Sequence, residues 1–291
     1  MPINDELGTR MKTFYEQIPK TKLTRRTPVI IRIDGKAFHT FTRGFKKPFD
    51  EVLIQTMQEK TKYLCENVQG CVLGYTQSDE VSLVLVDYQR FETSAWFDYE
   101  IQKMCSIAAS MATMAFNKCF EKNINDWISK NAPSFHEVWH NPEDEKLYHV
   151  YLNASNKGAM FDARVFNIPK EEVTNCIYWR QLDASRNSIQ MVGQANFSHK
   201  ELQNKSCNDI QDMLVLQKNI NWNDFPTYQK RGTCVVKSDE RETITEDNIG
   251  TDGSVIGTKM TVRSKWIVDK DIPIFKGEGR EYVEKLVMVG E

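Results

Sequence analysis

Two short runs of β-forming residues in this chain each break off at an aspartate, and a long amphipathic stripe lies between them. That pattern restricts the available folds more than any other feature. Thr27-Pro-Val-Ile-Ile-Arg-Ile33 is rich in β-branched residues and closes on Asp34-Gly35, a turn signal, so it reads as a buried strand with Asp34 at its tip. From Pro48, which suits a first helical turn, Phe49, Val52, Leu53, Met57, Leu64 and Val68 recur at helical spacing until Gly70. Two further β-rich runs, Cys71 to Thr76 and Val81 to Val86, flank Gln77-Ser78-Asp79-Glu80 and predict a tight hairpin with Asp79 at its turn. A second long helix is expected over Ala95 to Phe120, where Ile101, Cys105, Ala108, Met111, Ala112, Ala115, Phe116 and Cys119 share the apolar side. A last strand fits Met160 to Ile168. The order β-α-β-β-α-β predicts an α+β, ferredoxin-like core in which an antiparallel sheet carries its helices on one face.

Around this core the chain gives weaker signals. Leu7, Met11, Phe14, Tyr15 and Ile18 form one helical stripe, expected to pack as an N-terminal helix. A length of 291 residues allows one large domain or two modest ones. The working division is a core at 1–135, joined by the strand near 160–168, and a C-terminal region at 136–291 with further α/β elements. Hydrophobic residues at 40% and charged residues at 27% exclude a disordered chain. Met1 to Leu7 lacks the basic and apolar stretches of a secretory signal, and no apolar run approaches membrane-spanning length, so a cytoplasmic protein without membrane contact is expected. The seven scattered cysteines contain no C-x-x-C pair and read as reduced thiols. A net charge of −2 conceals a basic segment, Lys20 to Lys47, with nine Lys and Arg against the single acid Asp34, which suits phosphate. Ser238 to Gly253, with six acids and one Arg, reads as a solvated loop that a polyanion should avoid.

The chemistry centres on the two aspartates. If the topology brings Asp34 and Asp79 together, two unit charges about 4 Å apart repel by roughly 4 kcal/mol at an effective dielectric near 20. A pair of divalent cations would compensate, and magnesium suits oxygen ligands and substrate phosphates. Glu80 is a further candidate ligand or base, although strand alternation points it to the opposite face. In Gly35-Lys36-Ala37-Phe38-His39 the glycine permits close backbone approach, successive N–H groups could cradle a triphosphate, and Lys36 and Lys47 could neutralise it. His39 could stack on a base or touch phosphate. The bland alternative is that these acids merely end strands and face water.

Polymerase palms and nucleotide cyclases share this order of elements, with one metal-binding acid after the first strand and another at the central hairpin. The residues themselves are more specific. Arg32-Ile-Asp-Gly-Lys-Ala-Phe-His-Thr-Phe41 followed by Lys47-Pro48 and Asp50, then Gly74-Tyr-Thr-Gln-Ser-Asp-Glu80, resemble the two signatures of the tRNA(His) guanylyltransferase family. Phe161-Asp-Ala-Arg-Val165, Trp179-Arg-Gln181 with Asp183, and Tyr228-Gln-Lys-Arg-Gly232 extend the likeness in order across about residues 5 to 235. The resemblance implies a palm-like core in which Asp34, the Gly35 carbonyl and Asp79 hold two magnesium ions, with Asp34, Asp79 and Glu80 as catalytic residues. It implies that Lys36, Ala37, Phe38, His39, Lys47, Asp50 and Ser78 surround the nucleotide. It also implies a chemistry that reverses ordinary polymerisation, in which ATP activates a tRNA 5′-monophosphate that the 3′-hydroxyl of GTP or another nucleoside triphosphate then attacks. A homotetramer is expected on the same ground.

Two departures bear on the branch. Where members that add a guanylate to tRNA(His) carry His-Ile-Asn-Asn-Leu-Tyr-Asn, this chain has Ser185-Arg-Asn-Ser-Ile-Gln-Met191, retaining Asn187 alone. That resembles the guanylyltransferase-like branch, which favours templated repair of 5′-truncated tRNAs. Asp98-Tyr99-Glu100 replaces the arginines often found in the second long helix, with Lys103 retained. Lys103, Arg164, Arg180, Asn187, Lys200, Lys230 and Arg231 are candidate RNA contacts. Trp179, on an apolar run, is expected to pack in the core, with base stacking as its alternative. Guanylate addition to tRNA(His), a nucleotidyl cyclase on the same core, and an RNA-binding module with vestigial acids remain open alternatives.

Overall fold

The computed structural model describes residues 6–131, 141–249 and 255–290, with the backbone alone described for 239–249 and 255–263. Its framework is one six-stranded antiparallel sheet of β1 (Val29–Gly35), β2 (Cys71–Gln77), β3 (Glu80–Leu85), β4 (Phe161–Asn167), β5 (Thr233–Ile249) and β6 (Val255–Asp269), in the spatial order β4-β1-β3-β2-β5-β6. The predicted βαββαβ core supplies the first four strands. The other two extend the sheet beyond it, so the sheet draws strands from both sides of residue 135.

The helices are α1 (Glu6–Met11), α2 (Phe38–Phe41), α3 (Glu51–Asn67), α4 (Ile101–Asn131), α5 (Pro142–Lys157), α6 (Lys170–Asn196), α7 (His199–Leu202), α8 (Cys207–Lys218), α9 (Thr227–Arg231) and α10 (Glu281–Val287). Strand alternation sends Ile31, Ile33, Val81, Leu83 and Leu85 to one face, where they meet Met57 and Leu64 of α3 and Met104, Ala108, Phe116 and Phe120 of α4. The small residues Ala108 and Ala112 let α4 lie close to the sheet, and each large side chain buried there contributes about 1.5–3 kcal/mol. Ile30, Tyr75, Val84 and Val86 point the other way and pack against Val173 and Ile177 of α6 and Val283 and Val287 of α10. The second face is therefore covered in part, an addition to the one-sided arrangement expected.

Several boundaries differ from those expected, for identifiable reasons. Helix α3 begins at Glu51 because Asp50 is its N-cap, accepting the Leu53 N–H at 3.0 Å, so Pro48 lies outside the helix. Left-handed conformations at Phe97, Asp98 and Tyr99 hold back the start of α4, which then runs on to Asn131, well past Phe120. The N-terminal stripe is helical but does not pack: Leu7, Phe14, Tyr15 and Ile18 are more than half exposed. Residues 238–249, expected to be a loop, belong to β5 because β6 pairs with them from Arg241↔Ser264 to Ile249↔Val255, satisfying a backbone that composition assigned to water. The remainder of that predicted loop, 250–253, lies outside the described residues. The cysteines of the described chain are all free thiols, and no described helix is long and apolar enough to cross a membrane.

Candidate active site

Asp34 is the penultimate residue of β1, and Asp79 occupies the two-residue turn joining β2 to β3. The β1–β3 register runs to Ile33↔Val81 and the hairpin closes at Gln77↔Glu80, so both carboxylates stand at the same end of adjacent strands. Ser78 takes the left-handed conformation the turn demands and donates its hydroxyl to Asp79 at 3.1 Å. Burial pushes the Asp79 carboxyl above its ordinary value, and repulsion from Asp34 adds to that. Its own backbone N–H, Ser78 and the Lys60 ammonium oppose the rise.

Lys60 was not anticipated as part of this site. It is wholly buried in α3, its Nζ lies 3.7 Å from the centre of the Phe161 ring, and no side-chain or backbone acceptor bonds it. Burial drives its pKa well below that of a free lysine, while the fields of Asp79 and Asp34 act in the opposite sense. The signal was present: Lys60 stands three residues after Met57 and four before Leu64, on the apolar stripe itself.

The loop after β1 is braced from below. A Cβ at Gly35 would come within 2.2 Å of the Phe38 ring, so glycine alone fits there. Ala37 is left-handed and opens α2, whose Phe38 is buried against Phe41, Phe116 and Phe161. Phe38 therefore anchors the loop and does not present its ring to a ligand. The Lys36 N–H is taken by the Met160 carbonyl at 2.9 Å, which removes it from the expected N–H cradle. Lys36, Ala37, His39 and Lys47 are exposed. Asp50 is buried, receiving the N–H groups of Lys46 and Leu53 and the Tyr151 hydroxyl, and burial still pushes its carboxyl above the usual range. Its carboxylate shapes the loop instead of reaching outward. Beside the Asp79 turn a cleft opens between α3, the end of β2 and α6, lined by Asp50, Leu53, Met57, Ser78, Asn187 and Met191 among others. It is open to solvent, and its walls are apolar with a few polar groups at the rim.

On the other face, Glu80 is nearly buried and bound to two guanidinium groups, Arg32 at 3.0 Å and Arg180 at 2.9 Å, with Asp183 3.6 Å from Arg180. These contacts make Glu80, expected as a catalytic residue, the centre of an ion-pair cluster. Arg180 is inaccessible to RNA for the same reason. Lys230 is also buried, donating to the Asn223 carbonyl at 2.5 Å, and so does not face RNA as expected. Lys103 and Lys200 are exposed, and Arg164 lies in the open 4.0 Å from Asp34 and 3.3 Å from Asp162, while Arg231 is half-buried. Much of the basic segment is neutralised: Lys20, Lys22, Arg25 and Arg32 pair with Glu16, Asp98, Asp87 and Glu80. Trp179, expected in the core, is 54% exposed.

Known proteins are similar to this chain in sequence and in fold. Residues 8–169 match the family model Thg1, tRNAHis guanylyltransferase. The fold is similar to a bacterial tRNA(His) guanylyltransferase (Thg1)-like protein in complex with ATP, with 40% identity, a TM-score of 0.74, and 97% of this chain and 98% of that one covered. A complex of such a protein with GTP gives 37% identity and a TM-score of 0.69, covering 97% and 99%. The tRNA(His) guanylyltransferase of Saccharomyces cerevisiae is 24% identical over 226 residues, 73% of this chain and 83% of its own length. An uncharacterised protein of Acanthamoeba polyphaga mimivirus is 28% identical over 276 residues, 90% and 85% of the two chains. The chain is a nucleotidyltransferase with a palm-like fold and belongs to the tRNA(His) guanylyltransferase family.

Proposed function

We propose that this enzyme is a magnesium-dependent, template-directed 3′-to-5′ nucleotidyltransferase that activates and extends the 5′ end of truncated tRNAs. The observation that carries the reading is the electrostatically coupled pair Asp34 and Asp79 at the same end of adjacent strands, beside an exposed basic loop and an open, mostly apolar cleft. The site fits a cation. Asp79 is held above its ordinary pKa by burial and by its partner, and the lysine whose field opposes that rise has its own charge disfavoured by burial. Asp34, the Gly35 carbonyl and Asp79 are the oxygen donors that would hold magnesium, which when bound supplies charge neutralisation at the transferred phosphoryl group.

The chain's own residues position the reactants. Lys36, His39 and Lys47 surround the loop with exposed groups able to hold phosphate, while the buried Phe38 and Asp50 keep that loop rigid. The apolar walls of the cleft exclude water from a base lying beside the Asp79 turn, and Ser78 and Asn187 offer it polar contacts. Fixed charges of this kind accelerate phosphoryl transfer by aligning the reacting groups and stabilising the charge that develops on them. The ATP and GTP complexes of the bacterial Thg1-like proteins support a nucleoside triphosphate here. Repair is favoured over guanylate addition by Ser185-Arg-Asn-Ser-Ile-Gln-Met191, which places few of the guanylate-adding branch's residues along α6, and by the greater identity to the Thg1-like proteins.

The test offers the protein full-length tRNA(His) and a set of 5′-truncated tRNAs, with ATP and all four labelled nucleotides. Label at missing, templated 5′ positions is expected, and Asp79→Ala should abolish it with the thermal midpoint intact. Preferential addition of one guanylate to full-length tRNA(His) would overturn the repair reading. Cyclic nucleotide or growth at the 3′ end would overturn the enzyme class.

A further inference from the structure

Trp179 is the least expected side chain beside the catalytic edge. It sits on α6 with 54% of its surface in solvent, although an indole is among the side chains that gain most from burial. It is nevertheless held in place. The Arg180 guanidinium carbon lies 3.6 Å from the centre of its ring and that of Arg32 lies 5.4 Å away. Both guanidiniums are fixed by Glu80, at 2.9 and 3.0 Å, and Arg180 is nearly buried. The indole is thus tied through two salt bridges to the residue that directly follows Asp79.

The surroundings point to the occupant. Arg32 precedes Asp34 by two positions on the same face of β1, and Arg164 of β4 stands opposite Arg32 in the register. Arg164 is exposed, 3.3 Å from Asp162 and 4.0 Å from Asp34. A rigid, half-exposed aromatic with a solvent-facing guanidinium nearby, at the edge that carries the metal-binding acids, matches what holds the end of a polynucleotide: a π-face for the base and a cation for its phosphate.

We propose that Trp179 is the platform on which the 5′-terminal base of the RNA stacks, with Arg164 contacting the adjoining phosphate. This rests on the proposed 5′-end chemistry and adds its positioning element. Every base presents a π-face, so stacking holds the terminal nucleotide without reading it. A platform that ignores identity suits an enzyme whose ends vary and whose choice of nucleotide comes from the opposing template strand.

The experiment places 2-aminopurine at the 5′ terminus of a truncated tRNA transcript and follows its fluorescence and binding in magnesium-free buffer. Wild-type protein is expected to quench the probe. Trp179→Leu should lose the quenching and weaken binding about tenfold, while Trp179→Phe restores most of both. Undiminished quenching and affinity in Trp179→Leu would overturn the inference. So would equal losses in the Leu and Phe variants accompanied by a lowered thermal midpoint, which would mark Trp179 as structural only. A change in particle mass on Trp179→Leu with RNA binding unaffected would also overturn it, assigning the face to contact between copies. Because no turnover is read, quenching without any 5′ extension would sink the proposed function and leave the platform standing, whereas extension without quenching would do the reverse.

Discussion

Replacing Glu80 by Gln separates a structural from a catalytic carboxylate at the position next to Asp79. Glu80 is 8% exposed and binds Arg32, 23% exposed, and Arg180, 5% exposed. The amide keeps the shape but leaves two guanidinium charges facing a neutral group, one of whose atoms is itself a donor. Removing one partner of a buried ion pair costs about 3–5 kcal/mol because the other charge stays desolvated. Asp183 remains 3.6 Å from Arg180 and Arg32 reaches some water, so the lower end, about 3 kcal/mol, is expected. At about 2–4 °C per kcal/mol, the thermal midpoint should fall by about 6–12 °C. Calorimetry of both proteins with and without magnesium, followed by a magnesium titration of 5′ labelling at a temperature where both are folded, makes the test. Residual activity should track folded protein with an unchanged magnesium midpoint. A thermal midpoint that matches wild type, together with a loss of about 10²-fold or more in turnover, is the signature of an acid–base catalyst and would refute the structural assignment.

Further outcomes follow from the other buried charges. Asp50→Ala removes a helix cap and leaves the Tyr151 hydroxyl without its acceptor, for a loss of about 2–4 kcal/mol by denaturant unfolding, whereas Asp50→Asn should lose much less. Because burial raises the Asp50 carboxyl above 3.8, the native state holds that proton more tightly than the unfolded chain does. Its stabilising contribution is full below about pH 4 and is lost as pH rises through the folded value, a slope that Asp50→Asn should flatten. Lys60 has the opposite sense. Its lowered pKa means the unfolded chain binds the proton more tightly, so stability should climb with pH from the depressed folded value towards 10.5, and Lys60→Met should abolish that climb while leaving neutral-pH stability equal or higher. A less stable Lys60→Met protein would show that the amine contributes through an interaction that burial does not outweigh.

Local patterning was enough to order the core. The β-branched run before Asp34, the helical spacing from Val52 to Leu64 and the hairpin around Ser78-Asp79 each depend on neighbours within a few residues, and the signatures around Asp34 and Asp79 resembled one family closely enough for the family to be read from them. The errors arose where distant partners decide. A helical stripe such as Leu7 to Ile18 specifies an apolar face but not a surface to cover it, and in this fold that face stays exposed. The acids near residue 240 read as solvent-loving until a later strand paired with their backbone.

At the candidate site, sequence by itself determined which residue types stand together, because Asp34, Gly35 and Asp79 are fixed by strand ends and a turn. Only the tertiary structure decided how each charge is spent. Glu80 and Arg180 lie 100 positions apart, and both are buried where they meet, whereas Trp179, one residue before Arg180 on α6, stands in solvent. The place of Lys60 on the apolar stripe of α3 marks it for burial, but only the fold sets it against Phe161 and in the field of two aspartates. Charge is written in composition, whereas desolvation and pairing depend on through-space neighbours that the linear order does not specify.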